Sequence, residues 1–437
     1  MKRRLSVYLC ILFYLHFNAP IYSESIEQEE SLKINLAQSV DIALNNNLML
    51  QRQAESNNIF KLRAQKSVTY LLPNFVAGSE YAYNSSIKVI TVPNTPMELP
   101  TSKKNVLNTN VSFVQPITDL YKNSLKYKIA KEKFNISLLD SDLKKEFVID
   151  LVSQSYFNLI RQKKIIELNK QNINTLEAYH KIAKDHYDAG IALARDYMKV
   201  QIEIDNARHR LFKEENRLNI LNSQFKELLG VDLDDNVEIT GEYTDNNIEN
   251  SNLNELQDVA LNNRSELKQL NKAIHIAKLN KKVEISEYIP HVNFFVSYAN
   301  QVGSEFMPDN NILFGVNAQY DFWQWNRKYL SVKEQNSEIK TKELELKEQK
   351  RSIKIEVESQ LNSVLESKDL IDVSKHTVNL SEENVRITND RYNIGLALIT
   401  DLLDDQTALL EAQVKLITSE LEYQKSLIEL NKVLGIL

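Results

Sequence analysis

Residues 391–406 read RYNIGLALITDLLDDQ, and residues 186–201 read HYDAGIALARDYMKVQ. Laying Gly190 on Gly395 brings Tyr187 onto Tyr392, Leu193 onto Leu398, Asp196 onto Asp401 and Gln201 onto Gln406, an offset of 205 residues. A further 40 residues on, each copy has another glycine, Gly230 in LLGV and Gly435 in VLGI. The chain is written twice, and a glycine set between two helical patterns marks a reversal in each copy.

The repeat extends towards the N-terminus. ALNNNLML from Ala43 aligns with ALNNRSELKQL from Ala260, and Pro73 with Pro290, at an offset of 217. The two offsets differ by 12 residues, which fall in NSSIKVITVPNTPMELPTSKKN of the first copy, a loop by composition. The repeats are placed at 36–230 and 256–437. An acidic linker at 231–255, with no Lys or Arg, joins them and wraps the helices near mid-length. Its acids fit no calcium-loop spacing, and a solvated linker is the plainer account.

Each copy has one order of patterns. A helical stretch, Leu36 to Leu72 or about Leu256 to Ile289, ends at proline. Two strand-like segments follow: NFVAGSEYAYN and VLNTNVSFVQPI in the first copy, HVNFFVSYANQ and LFGVNAQYDF in the second. In the last, Phe314, Val316, Ala318, Tyr320 and Phe322 share one face. Next come stretches of about 65 residues free of Gly and Pro, each long enough for a rod on the order of 100 Å. Past the turn glycine a second helix returns with a seven-residue apolar repeat, Leu402, Leu409, Leu416, Tyr423 and Leu430. The first copy matches with Tyr197, Ile204, Leu211, Leu218 and Phe225, and small Ala412, Ser419 and Ser426 admit a close neighbour.

Composition fits long elements with few turns, since the 437 residues hold only 8 glycines and 8 prolines. A net charge of −6 argues against a nucleic-acid partner. The opening MKRRLSVYLCILFYLHFNAPIYSES has the three-part form of a secretory signal, placed at 1–23, with an apolar core too short to span a bilayer. Cys10, the only cysteine, lies inside that core, so the mature chain is expected to have no disulfide, thiolate site or lipid anchor. No metal or cofactor is expected, because the histidines show no ligand spacing and phosphate loops and catalytic signatures are missing.

Four strands of about ten residues, apolar on one face, have outer-membrane length but cannot close, since the smallest such barrels have about eight. Open edges in lipid would leave backbone groups unpaired at several kcal/mol each. Other copies of the chain must supply closure.

This order of elements, the opening LAQSVDIALNNNLML, the VQPI at the end of a strand and the RYNIGLALITDLLDDQ turn together resemble the TolC family of outer-membrane efflux proteins. The resemblance spans the mature chain. It implies a mostly α fold with a β-barrel portion: duplicated long helical hairpins forming an α-barrel, and two β-hairpins per chain in a trimeric outer-membrane barrel of about twelve strands. Also implied are a homotrimer in outer-membrane lipid with its tunnel in the periplasm, and partners in a periplasmic adaptor and an inner-membrane pump or ABC transporter. The function implied is passive export in tripartite efflux or type I secretion, not enzymology. Gly190, Ile191, Leu193, Gly395, Leu396 and Leu398 become tips for adaptor docking, or equally residues that pack the turn. Asp401 and Asp404 fall where the family rings the periplasmic entrance with carboxylates, and Asp405 adds charge on the adjacent face. Tyr392 and Asp196 fall where it latches that entrance, and an arginine usual two residues past the second turn glycine is Ala397 here. Asp401 and Thr400 are equally placed to cap a helix. The competing functions are a periplasmic adaptor, which would carry one hairpin and no lipid-facing strands, and a secreted coiled-coil adhesin.

Overall fold

The computed structural model describes residues 32–437, except 88, 92, 94–95, 235–236, 241–251 and 305–307. The segment 1–23 and part of the linker therefore lie outside the described residues. In chain order the elements of the first repeat are β1 (Leu32–Ile34), α1 (Leu36–Asn46), α2 (Leu48–Thr69), β2 (Asn74–Tyr83), β3 (Val89–Thr91), β4 (Glu98–Pro100), β5 (Ser102–Pro116), α3 (Asp119–Asp188) and α4 (Ala194–Leu229). The linker holds β6 (Val237–Ile239), and the second repeat holds α5 (Leu253–Asn263), α6 (Ser265–Ser286), β7 (His291–Ser304), β8 (Asn310–Gln319), α7 (Arg327–Asn393) and α8 (Ile399–Leu434).

The rods α3 and α7 have 70 and 67 residues, hence lengths of about 100 Å. No single shorter helix can flank them along their whole length. Towards the sheet α2, α3, α6 and α7 lie side by side, and towards the tips α4, α3, α8 and α7 do so. Of the seven-residue repeat, buried Tyr423 and Leu430 pack in a cluster with Ile353 and Val357 of α7, Leu402 joins a cluster drawn from both hairpins, and small Ala412 and Ser419 are buried too. Ser426 Oγ meets Ser367 Oγ of α7 at 3.0 Å.

The expected single helix from Leu36 to Leu72 is instead two, as is the one from Leu256 to Ile289. Asn47 and Arg264 break them by taking extended ψ of 125° and 120°. Asn47 then caps α2, its side chain accepting from Met49 N at 2.9 Å while its amide donates to Leu228 O at 2.8 Å. Arg264 forks onto Glu266 and donates to Val433 O at 3.1 Å. The apolar period runs through both breaks and hides them. The segment α1 so freed packs with β1 and β6 at mid-height, where Ile34, Ala43 and Ile239 meet Val152, Tyr156, Phe225 and Leu229.

Three further differences lie in the strands and the linker. The insertion read as a loop contains the β3–β4 pair, consistent with the β-branched Val89, Ile90 and Thr91. The linker supplies β6, parallel to β1 in register Leu32 with Val237 and Ile34 with Ile239, and Tyr156 Oη donates to Thr240 O at 2.9 Å. β8 also stops at Gln319, short of Tyr320 and Phe322.

One antiparallel sheet runs β2-β5-β7-β8, so the two repeats meet at β5–β7. Its register puts Phe75, Phe113, Val296 and Phe314 in one row and Ala77, Val111, Tyr298 and Ile312 in another on the same face. The opposite face has the rows Val76, Ser112, Ser297, Leu313 and Gly78, Asn110, Ala299, Asn311. The apolar face is open: Phe75 and Phe314 are 71% and 73% exposed. Among the described residues neither β2 nor β8 has a partner on its outer edge.

Candidate functional site: the hairpin tips

Both hairpins turn in the same way. Gly190 and Gly395 take φ of +77° and +78°, and each is followed by a residue whose N–H reaches back a full turn, Ile191 to His186 O at 3.0 Å and Leu396 to Arg391 O at 2.8 Å. That is a Schellman closure, which uses the left-handed residue to satisfy the last helical carbonyls. Nothing lies within 4 Å of where a Cβ would stand on either glycine. The chain then presents Ile191, Leu193, Leu396 and Leu398 at 59–72% exposure.

The returning helices start alike. The Asp196 carboxylate accepts from Leu193 N and the Asp401 carboxylate from Leu398 N, both at 3.2 Å. Each aspartate thus reaches back to a free N–H ahead of its helix, as the third residue of a capping box does. Asp404 is exposed and has no hydrogen bond or ion pair among the described residues. Asp405 is tied across its own hairpin, accepting from Thr388 Oγ1 of α7 at 2.5 Å.

Between the tips is a cleft lined by His186, Arg195, Asp196, Tyr392, Leu398 and Ile399. Tyr392 is 6% exposed, its ring lies 5.3 Å from that of His186, and its hydroxyl is buried without a partner. Burial pushes the Tyr392 phenol above its ordinary value, and the nearby Asp196 carboxylate pushes the same way. The two repeats thus bring Tyr392 and Asp196 into one cleft but not into a hydrogen bond. Ala397 is half-buried there, and the cleft's cations are Lys199 and Arg195, whose Nε is 3.4 Å from Asp196 Oδ1.

The sequence reasoning missed the polar seam above the cleft, where Gln406 of α8 donates to Asn172 of α3 at 3.0 Å and Tyr179 Oη lies 3.4 Å from Gln406 Oε1. The pairing of Gln201 with Gln406 between repeats was the available signal. The seam continues upward through Lys164–Glu420, Lys425–Asn158 and Lys432–Asp150.

Residues 256–436 match the family model described as outer membrane efflux protein. The match covers the second repeat, 181 of the 437 residues. Among solved structures, the chain is similar to the Campylobacter jejuni CmeC outer membrane channel, at 16% identity and TM-score 0.77, over 98% of this chain and 94% of that one. It is similar also to VceC of Vibrio cholerae, at 12% identity and TM-score 0.74, over 92% of this chain and 96% of that one. The open-state MtrE outer membrane channel of Neisseria gonorrhoeae gives 15% identity and TM-score 0.74, over 92% of this chain and 89% of that one. No curated protein matches by sequence.

Proposed function

We propose that this chain is an outer membrane efflux protein, and that three copies of it, exported by the signal at 1–23, join sheet edge to sheet edge and rod to rod into one conduit. It carries cargo passively from a periplasmic adaptor and an inner-membrane pump to the outside. The pump is either the engine of a tripartite efflux system or the ABC transporter of a type I secretion system. The observation that carries this is the four-stranded sheet with an open apolar face and two unpaired edges, which lipid tolerates only after closure. Exposed Tyr320, Phe322, Trp323 and Trp325 at the helix-side end of that face suit a membrane–water boundary. The aliphatic tips are the docking points for the adaptor, and two stacked rings of Asp401 and Asp404 form the cation-attracting gate. Tyr392 and Asp196 are the two halves of its latch.

A periplasmic adaptor or a secreted adhesin has no use for such a face. Protein extracted from outer membranes should therefore need detergent, have three times the chain mass by light scattering, and conduct ions in planar bilayers. A water-soluble, lipid-indifferent monomer overturns the proposal.

A further inference from the structure

Between α4 and α8, floored by α3, runs a groove with an unusual charge state. Four cations line it: Arg161 on α3, Arg210 and Arg217 on α4, and Lys415 on α8. None has an ion pair or hydrogen bond among the described residues, and the Nε of Arg161 is buried without a partner. Some lysines of the same helices are matched: Lys164 to Glu420, Lys170 to Glu215, Lys432 to Asp150. Two carboxylates reach the groove. Gln162 already donates to Glu214 at 2.7 Å, and Glu411 is the other, so cations remain in excess. The floor between the charges is apolar, with half-buried Ile165, Leu410 and Val414.

The groove opens on the side of the wall that bears the entrance aspartates. In a seven-residue repeat Asp401 shares its stripe with Lys415, and Asp404 with Glu411. On α3, Tyr156 points to the mid-height layer, bonding Thr240 O. Arg161 and Ile165, five and nine residues later, come about 140° and 180° round the helix from it. The groove therefore faces away from that layer, about 10–15 Å along α8 from the acidic entrance.

We infer that this groove is a binding site, on the conduit's inner wall, for an organic anion with an apolar body. Guanidinium forks suit a carboxylate or sulfonate head, and the aliphatic floor takes the body. A compact anion gains only the head contact, and a cation is repelled. The site presupposes the trimeric conduit proposed above, which repeats it three times around the lumen.

Single-channel recording of the full mature protein tests it, with 1-naphthalenesulfonate as probe and methanesulfonate as compact control. Naphthalenesulfonate should reduce the open current at a concentration about tenfold below that of methanesulfonate, and the Arg217→Gln/Lys415→Gln variant should raise its half-blocking concentration about tenfold, the worth of one charge-assisted hydrogen bond. Block by a trivalent cation should be unchanged in that variant, which shows it intact. Equal block by the two anions, or equal block of wild type and variant, overturns the site while leaving the conduit standing. Absence of any conductance overturns both.

Discussion

Asp401 and Asp404 stand three residues apart on one helix but differ in what they touch. Asp401 is spent partly on the backbone N–H of Leu398, whereas Asp404 has no bond at all among the described residues. Asp404→Ala should therefore weaken current block by a trivalent cation with little effect on thermal unfolding. Asp401→Ala should in addition cost about 1 kcal/mol, the usual worth of a capping contact. Equal block in wild type and Asp404→Ala would remove Asp404 from the pore lining. The type and spacing of these acids were legible in the sequence, because the duplicated glycine fixes where each helix starts. Legibility ended at partners from the other repeat: the unpaired hydroxyl of Tyr392 and the approach of Arg195 to Asp196 depend on how two hairpins lean together.

At the level of elements, the four helix-ending glycines share one conformation but not one surrounding. Gly230 has φ +69° and a Cβ there would stand 2.5 Å from Asn46 O, whereas Gly395 has φ +78° and empty space around it. Gly395→Ala should cost about 1 kcal/mol, the left-handed strain alone. Gly230→Ala should cost clearly more, because backbone where α1 ends must also shift; thermal unfolding in detergent would separate the two. A larger loss at Gly395 would mean that the tip is packed more tightly in the assembly than in one chain. Strands, rods and turns could be read from period and punctuation, and their ends fell within a few residues. The breaks at Asn47 and Arg264 could not, since each falls inside an unbroken apolar period and is stabilised by residues about 170 or more positions away, Leu228 and Val433. The short strand in the acidic linker was hidden for a related reason: VEI has no period of its own and pairs with a segment near the other end of the repeat.

For the whole molecule, the seam between α3 and α8 holds the two repeats in one wall. Its uppermost rung is Lys432 to Asp150 at 2.8 Å, and the Asp150 side chain is 4% exposed. Burial works against the Lys432 charge, but its bonds to Asp150 and Glu429 outweigh that and leave its ammonium above the ordinary value. Lys432→Met should destabilise by about 3 kcal/mol by leaving a buried carboxylate without its cation and with only Gln154 donating to it, and adding Asp150→Asn should restore most of the loss. Unfolding of the single and double variants in detergent measures both, and a double variant no better than the single would show that the pair is not coupled. Duplication made the two-hairpin plan readable, yet the strand order β2-β5-β7-β8 required knowing which repeat lies beside which. One consequence concerns the order in which the protein can mature. β1 at Leu32–Ile34 finds its parallel mate only at Val237–Ile239, so this strand must wait until more than half of the polypeptide has been delivered. Such a distant closure is slow, and it exposes the first repeat, unfinished, to whatever chaperones or proteases meet it on the way.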